Sequence, residues 1–247
     1  MNVSLYQAAA ALSANSAWQD AITGNLASSS VPGFKRQQLS MAAVKAGLLP
    51  AGGANLPSTF AIPKSKTSPS FAPGEMIATG VKNDVAIDGK GFFSVQLPNG
   101  TSAFTRDGEF QVTSKGELVT KEGYPVEGEG GPIMLNLQNP APMSVSANGT
   151  VSQGAEKKGK LKITEFQNPE ALTQISGAYF IGGGHGLIPQ ASTSTLRQNY
   201  LEGSNTSVVG EMANMMTAMR SFEANQHIIQ MQDDRMGKTI SELGNMS

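Results

Sequence analysis

The sequence predicts an α+β protein: long N- and C-terminal helices forming a coiled-coil-like terminal domain, with a mainly antiparallel β domain inserted between them. Three observations carry this. Near both ends of the chain, apolar residues recur at alternating steps of three and four, the 3.5-residue period of a coiled-coil seam. Between them, over 83–202, short β-branched and aromatic runs alternate with turn dipeptides such as Asn-Gly and Asp-Gly. That stretch carries few helical patterns, which argues against parallel βαβ topology, where a helix normally makes each crossover.

The first helix is read over residues 3–28. Ala8 to Ala11, Ala14, Ala17 and Ala21 supply the strongest helix former, and the seam runs Leu5, Ala8, Leu12, Asn15, Gln19, Ile22, Leu26. The serines 28–30 and then Val31-Pro32-Gly33 stop it, because proline lacks a donor and disfavours helix before it. Residues 1–35 are assigned to the terminal domain. Residues 36–82 follow as an extended or irregular linker, with prolines at 50, 57, 63, 69 and 73 and a short helix over 39–47 as its one regular possibility. A connection this long is usually functional or ordered on assembly.

The β domain opens with Val85-Ala86-Ile87 and Gly91 to Leu97. Turns at Asn99-Gly100 and Asp107-Gly108 flank a return strand, Thr101 to Arg106. Short strands over 109–113, 117–120 and 124–126 come next. Met143 to Ala147 and Thr150 to Ser152 make a second hairpin around Asn148-Gly149, and runs at 161–166, 179–181 and 196–201 complete a compact barrel or sandwich.

The C-terminal helix is read over Val208 to Leu243, within a terminal-domain segment 203–247. Its seam is Met212, Met215, Met219, Phe222, Gln226, Ile229, Asp233, Met236, Ile240, Leu243. At ~1.5 Å per residue it is roughly 50 Å long, too long to cap one small core, so it needs a long helical partner. The stripe at residues 3–28 is the available one, and Leu201 to Asn205 reads as the hinge carrying the β domain away from the helices.

Chemistry is hard to place on this chain. It has no cysteine, which excludes disulfides, zinc–thiolate sites and thiol nucleophiles. The two histidines, His185 and His227, lack metal-ligand spacing. The Gly128 to Gly131 and Gly182 to Gly186 runs lack the Gly-Lys-Ser/Thr of a phosphate loop and read as turns. Asp84, Asp88, Asp107 and Glu109 cluster in the early strands, the one arrangement a glycosidase-like carboxylate pair would use. A formal net charge of −1 with no long basic tract gives nucleic acid little to bind. Charged residues make up 15% against a typical ~25%, a surface suited to packing against protein. The N-terminus lacks the basic and apolar regions of a cleaved signal, and no window is long and apolar enough to span a membrane.

Three groups of motifs now read together. Gly24 to Arg36 (Gly-Asn-Leu-Ala-Ser-Ser-Ser-Val-Pro-Gly-Phe-Lys-Arg) resembles the Asn-Leu-Ala-Asn-x-x-Thr-x-Gly-Phe-Lys signature of the bacterial flagellar rod and hook proteins. Ser28 and Val31 replace that family's usual Asn and Thr. Leu201-Glu202-Gly203-Ser204-Asn205, followed by Glu211, Met212, Met215, Met216, Arg220, Phe222, Glu223 and Asn225, is similar to its C-terminal motif. Asp84 to Phe93 and Phe104 to Gly108 are similar to its β-domain motifs. Within the family, the chain length, Pro32-Gly33-Phe34 and Gly128 to Ile133 lean toward the proximal-rod type over the distal-rod type.

The resemblance implies a non-catalytic axial subunit of the flagellar basal-body rod. It would be exported through the flagellar type III apparatus without a cleaved signal and lie in the periplasmic rod. Its terminal helices would polymerise helically with its own kind and with other rod proteins, with subunit contacts from the linker. No cofactor, metal, nucleic acid or small-molecule substrate is expected. The candidate assembly residues are Leu5, Leu12, Ile22, Asn25, Leu26, Gly33 and Phe34 at the N-terminal end, and Leu201, Glu202, Ser204 and Asn205 at the junction. On the C-terminal helix they are Met212, Met215, Met219, Arg220, Phe222, Glu223, Ile229, Met236, Ile240 and Leu243. The rival readings are a distal-rod or hook-type axial protein, a carbohydrate-binding or adhesin-like β module oligomerised by its helices, and an enzyme using the acidic cluster.

Overall fold

The computed structural model describes residues 3–48, 59–182 and 189–244. Helix α1 spans Val3–Ala27 and helix α2 spans Val208–Gly244, with strands between them. The architecture is α+β, but the expected coiled-coil-like terminal domain is not described. The helices are unequal, about 37 Å and 55 Å at ~1.5 Å per residue, and the predicted seam of α2 is not a buried line. Met212, Met219 and Met236 on that seam are exposed. Half of the seam is covered: Met215, Phe222 and Ile229 are half-buried, but the positions alternating with them are Glu211 and Ala218, buried, and Asn225, half-buried, one residue before the expected Met212, Met219 and Gln226. A 3.5-residue count finds apolar side chains but not which arc of the helix is covered.

The chain divides into two compact units. A terminal unit holds Met1–Leu26, Gln37–Ser68 and Ser207–Ser247, and a β unit holds Ala27–Arg36 and Pro69–Thr206. In the terminal unit, Gln37–Leu48 and Thr59–Pro69 pair as a two-stranded sheet, so strand stands where a short helix over 39–47 was allowed. Pro63 and Pro69 are compatible with this, since each strand of a two-stranded ribbon keeps one edge with no ladder to break. Ser207 starts α2: its Oγ accepts from Gly210 N–H at 3.3 Å and its carbonyl from Glu211 N–H at 2.8 Å.

The β unit is built on a six-stranded sheet. Its order is Leu172–Ser176, Tyr179–Gly182, Ser102–Thr105, Phe92–Gln96, Ile163–Phe166, Pro189–Ala191. Side-chain alternation along Phe92–Gln96 sorts its residues into two cores. Phe93 and Val95 join a large aliphatic cluster with Val85, Leu118, Val126, Val151 and Leu161, while Phe92 joins Phe166, Phe180 and Leu172. The predicted hairpin around Asn148-Gly149 pairs Met143–Val145 with Thr150–Gln153. Gly108 is required by proximity: a Cβ there would sit 1.7 Å from the Val85 carbonyl oxygen.

The expected hinge at Leu201 to Asn205 lies inside the β unit. Tyr200–Glu202 pairs antiparallel with Met76–Ala78, and the division between units falls after Thr206. Ladder hydrogen bonds hold the segment where a hinge would need to turn.

Candidate functional site

The residues that the sequence marks near 25–36 and 201–205 are far apart in the chain, yet the β unit gathers most of them around one buried carboxylate. Glu202 is 1% exposed. Its Oε1 accepts from Lys35 Nζ at 2.6 Å and from Gly74 N–H at 2.9 Å, and its Oε2 accepts from Arg106 Nη1 at 3.1 Å. Lys35, also 1% exposed, donates to the Ala72 carbonyl at 2.9 Å. Arg106 donates through Nη2 to the Gly89 carbonyl at 2.9 Å and lies over the Phe92 ring at 5.1 Å from its centroid. Burial pulls both cations below their usual pKa, and the charge of Glu202 beside them pushes back.

The backbone around this cluster is equally constrained. Gly33 N–H donates to the Glu202 carbonyl at 2.7 Å. Gly33 has φ +68°, and a Cβ there would lie 2.3 Å from the Asp107 nitrogen, so glycine is needed for conformation and for space. Asn205 ties three segments: Oδ1 accepts from Arg36 N–H at 2.7 Å, and Nδ2 donates to the Ser70 and Ala72 carbonyls at 2.8 and 3.0 Å. Phe34 is buried and its carbonyl accepts from Asn205 N–H at 3.4 Å. Ser204 Oγ accepts from Thr206 N–H at 3.2 Å.

In the terminal unit, Asn25 does comparable work. Its Nδ2 donates to the Gln37 carbonyl at 3.0 Å while Gln37 N–H donates to its Oδ1 at 2.7 Å, a reciprocal pair like one rung of a strand ladder. The same Nδ2 lies 3.4 Å from Glu211 Oε2, linking the end of α1 to the first turn of α2. The groups pair with one another and with backbone amides and carbonyls of neighbouring segments. Lys35 Nζ and the Glu202 carboxylate are both buried and engaged with each other and with backbone groups.

The comparisons with known proteins bear on these residues. The Flagellar hook protein FlgE/F/G D1 domain matches residues 86–153, and the Flagellar basal body rod FlgEFG protein C-terminal matches residues 197–242. The chain is 31% identical to the flagellar basal-body rod protein FlgF of Escherichia coli over 96% of its length and 97% of that protein's. It is 30% identical to FlgF of Mesorhizobium japonicum over the whole of both chains. It is 37% identical to FlgG of Borreliella burgdorferi, over 68% of this chain and 67% of that one. The chain belongs to the flagellar basal-body rod protein family.

Within this rod protein, which is FlgF-like, the expected assembly residues fall into three environments. Gly33, Phe34, Leu201, Glu202 and Asn205 are brought together in the β unit. Ile22 and Asn25 are buried and Leu12 and Leu26 half-buried on α1. On α2, Met212, Met219, Arg220, Glu223 and Met236 are exposed, whereas Met215, Phe222 and Ile229 are half-buried. Leu5, Ile240 and Leu243 lie in the helices, but their side chains fall outside the described residues, as does the His185 loop. Lys35, Arg106 and Glu211 lie within the motifs but outside the expected assembly residues, and they supply the charge around Glu202 and Asn25. The signal for Lys35 and Arg106 in the sequence is a basic residue two positions from each signature glycine, at Gly33-Phe34-Lys35 and Arg106-Asp107-Gly108.

Proposed function

We propose that this structural rod protein polymerises helically, burying on assembly the apolar surface that α2 leaves open. One observation supports this. Val208, Val209, Met212, Met216 and Met219 are all exposed, and at 100° per residue they share an arc of about 100° on the first part of α2. The β unit, by contrast, closes its two cores around Phe93 and Phe180, each 0% exposed. An exposed apolar arc of this extent marks an interaction surface, and a head-to-tail contact repeated between copies builds a helical filament. On this reading its partners are further copies and other rod proteins in the periplasmic rod, reached by type III export without a cleaved signal. The chain length, Pro32-Gly33-Phe34 and Gly128 to Ile133 favour the proximal part of the rod.

Met219→Asp tests the mechanism. Each fully buried Met contributes ~1.5–3 kcal/mol, and Met219 contributes little to the monomer because it is exposed there. The variant should keep the wild-type thermal transition, yet fail to enter rods and leave cells non-motile. Normal motility would refute the proposal. Ile229→Asp, at a half-buried position, should give the same motility defect with some loss of helix stability.

A further inference from the structure

The open arc of α2 is built largely from sulfur. Met212, Met216 and Met219 are 56%, 57% and 52% exposed, and their spacing of four and then three residues puts them on one helix face. Met231 is 48% exposed on the same helix, but at 100° per residue it falls outside that arc. Met143 is buried in the aliphatic core of the β unit. The chain has no cysteine, so no thiol competes for an oxidant. Three reachable sulfurs thus lie on a surface whose use depends on its being apolar.

Oxidation to the sulfoxide turns a flexible apolar side chain into a polar one. A peroxide is the only reactant this needs. The thioether lone pair attacks one peroxide oxygen, an S–O bond forms and the O–O bond breaks. Sulfur gives up two electrons, and the departing hydroxyl takes the remaining proton and leaves as water. A sulfoxide oxygen on this face must either keep its water or be buried without a hydrogen bond, and the second costs free energy. Both outcomes oppose closure of a subunit contact over the arc. We propose that Met212, Met216 and Met219 form a peroxide-sensitive modification site, whose oxidation bars the free subunit from the rod until the sulfoxides are reduced. The inference rests on the assembly role proposed above for this arc.

The test has two arms. The purified full chain is treated with limiting hydrogen peroxide and mapped by peptide mass spectrometry. One oxygen should appear at Met212, Met216, Met219 and Met231 several-fold faster than at Met143. In the second arm, cells lacking methionine sulfoxide reductases produce the subunit before rods assemble, receive hydrogen peroxide, are washed and are then allowed to assemble. The sulfoxide fraction at each position is compared between isolated basal bodies and the unassembled pool. Sulfoxide at the three arc positions should be depleted from rods several-fold relative to sulfoxide at Met231, and supplying the reductases before assembly should abolish that depletion. Oxidation of Met143 as fast as the arc, equal sulfoxide fractions in pool and rods, or equal depletion at Met231 would each overturn the proposal. Any of these beside a non-motile Met219→Asp removes this inference and leaves the assembly surface standing, whereas a motile Met219→Asp removes the surface itself.

Discussion

Two buried carboxylates, Glu202, which pairs with Arg106, and Asp107, which follows Arg106 in the chain, are treated in opposite ways. Glu202 receives two cations and a backbone N–H, so its charge is matched inside the protein. Among the described residues Asp107 receives one backbone N–H and no ion pair, Lys121 being bound to Glu109 instead. Burial therefore pushes its carboxyl up to about 7, with the charges of Glu109 and Glu122 adding to the rise and Lys121 opposing it. Depth is similar in the two cases, so depth alone does not set protonation. The difference lies in what the chain brings to each carboxylate: Lys35 from beyond the end of α1 and Arg106 from its own strand end reach Glu202, and among the described residues no cation pairs with Asp107.

The largest effect should come from unbalancing the matched carboxylate. Glu202→Gln keeps the shape but leaves Lys35 and Arg106 as neighbouring buried cations. Removing one partner of a buried ion pair costs ~3–5 kcal/mol. Urea unfolding followed by tyrosine near-ultraviolet dichroism, which samples Tyr124, Tyr179 and Tyr200 in the β unit, should show a loss of that size. A change below ~1 kcal/mol would mean that the cluster is not the unit's electrostatic anchor.

Asp107 should show itself through pH. Its folded pKa, about 7, stands above the ordinary value of 3.8. Between those values the folded chain holds a proton that the unfolded chain has released. The resulting stability is fully present below about pH 4 and is lost as pH rises through about 7. At ~1.4 kcal/mol per pKa unit the window is worth up to about 4 kcal/mol. Asp107→Asn should remove that slope, so unfolding free energies of the two proteins, measured from pH 4 to pH 8, should diverge with rising pH in favour of the variant. Parallel curves would show that Asp107 is ionised throughout.

How far these features were readable depends on what fixes them. The hairpin at Asn148-Gly149 and the run Phe92 to Leu97 were legible because turn chemistry and side-chain alternation are local. The strands Gln37–Leu48 and Thr59–Pro69 were not, because a two-stranded ribbon has no full core face to impose alternation. On α2 the apolar count finds Met215, Phe222 and Ile229, which are half-buried, but not the alternating positions Glu211, Ala218 and Asn225, because these are small or polar and the count moves one residue on, to Met212, Met219 and Gln226. Glu202 and Asn205 were identified through resemblance alone. Their partners lie 167 and 169 residues away, at Lys35 and Arg36, a separation that no local pattern encodes. Asp107 looked like a turn aspartate, and the Oδ1 bond to Glu109 N–H is indeed of that kind; its burial comes from the rest of the β unit.

The smallest effect is the most discriminating. Lys35→Met removes one of the two cations around Glu202 and keeps a stem of similar length in the same buried space. Glu202 then retains Arg106 at 3.1 Å and the Gly74 N–H at 2.9 Å, so no uncompensated charge is left behind. The cost of breaking a buried pair comes from the uncompensated charge left behind, and here the Glu202–Arg106 pair stays balanced while the desolvation cost of the ammonium disappears. The bond from Lys35 Nζ to the Ala72 carbonyl is lost, but that carbonyl still accepts from Asn205 Nδ2 at 3.0 Å. The expected change is within ~1 kcal/mol by the same urea measurement. A loss as large as that of Glu202→Gln would mean that Lys35 contributes more than charge, and that the signature at Gly33-Phe34-Lys35 is held by the ammonium's bonds to Glu202 and Ala72 together.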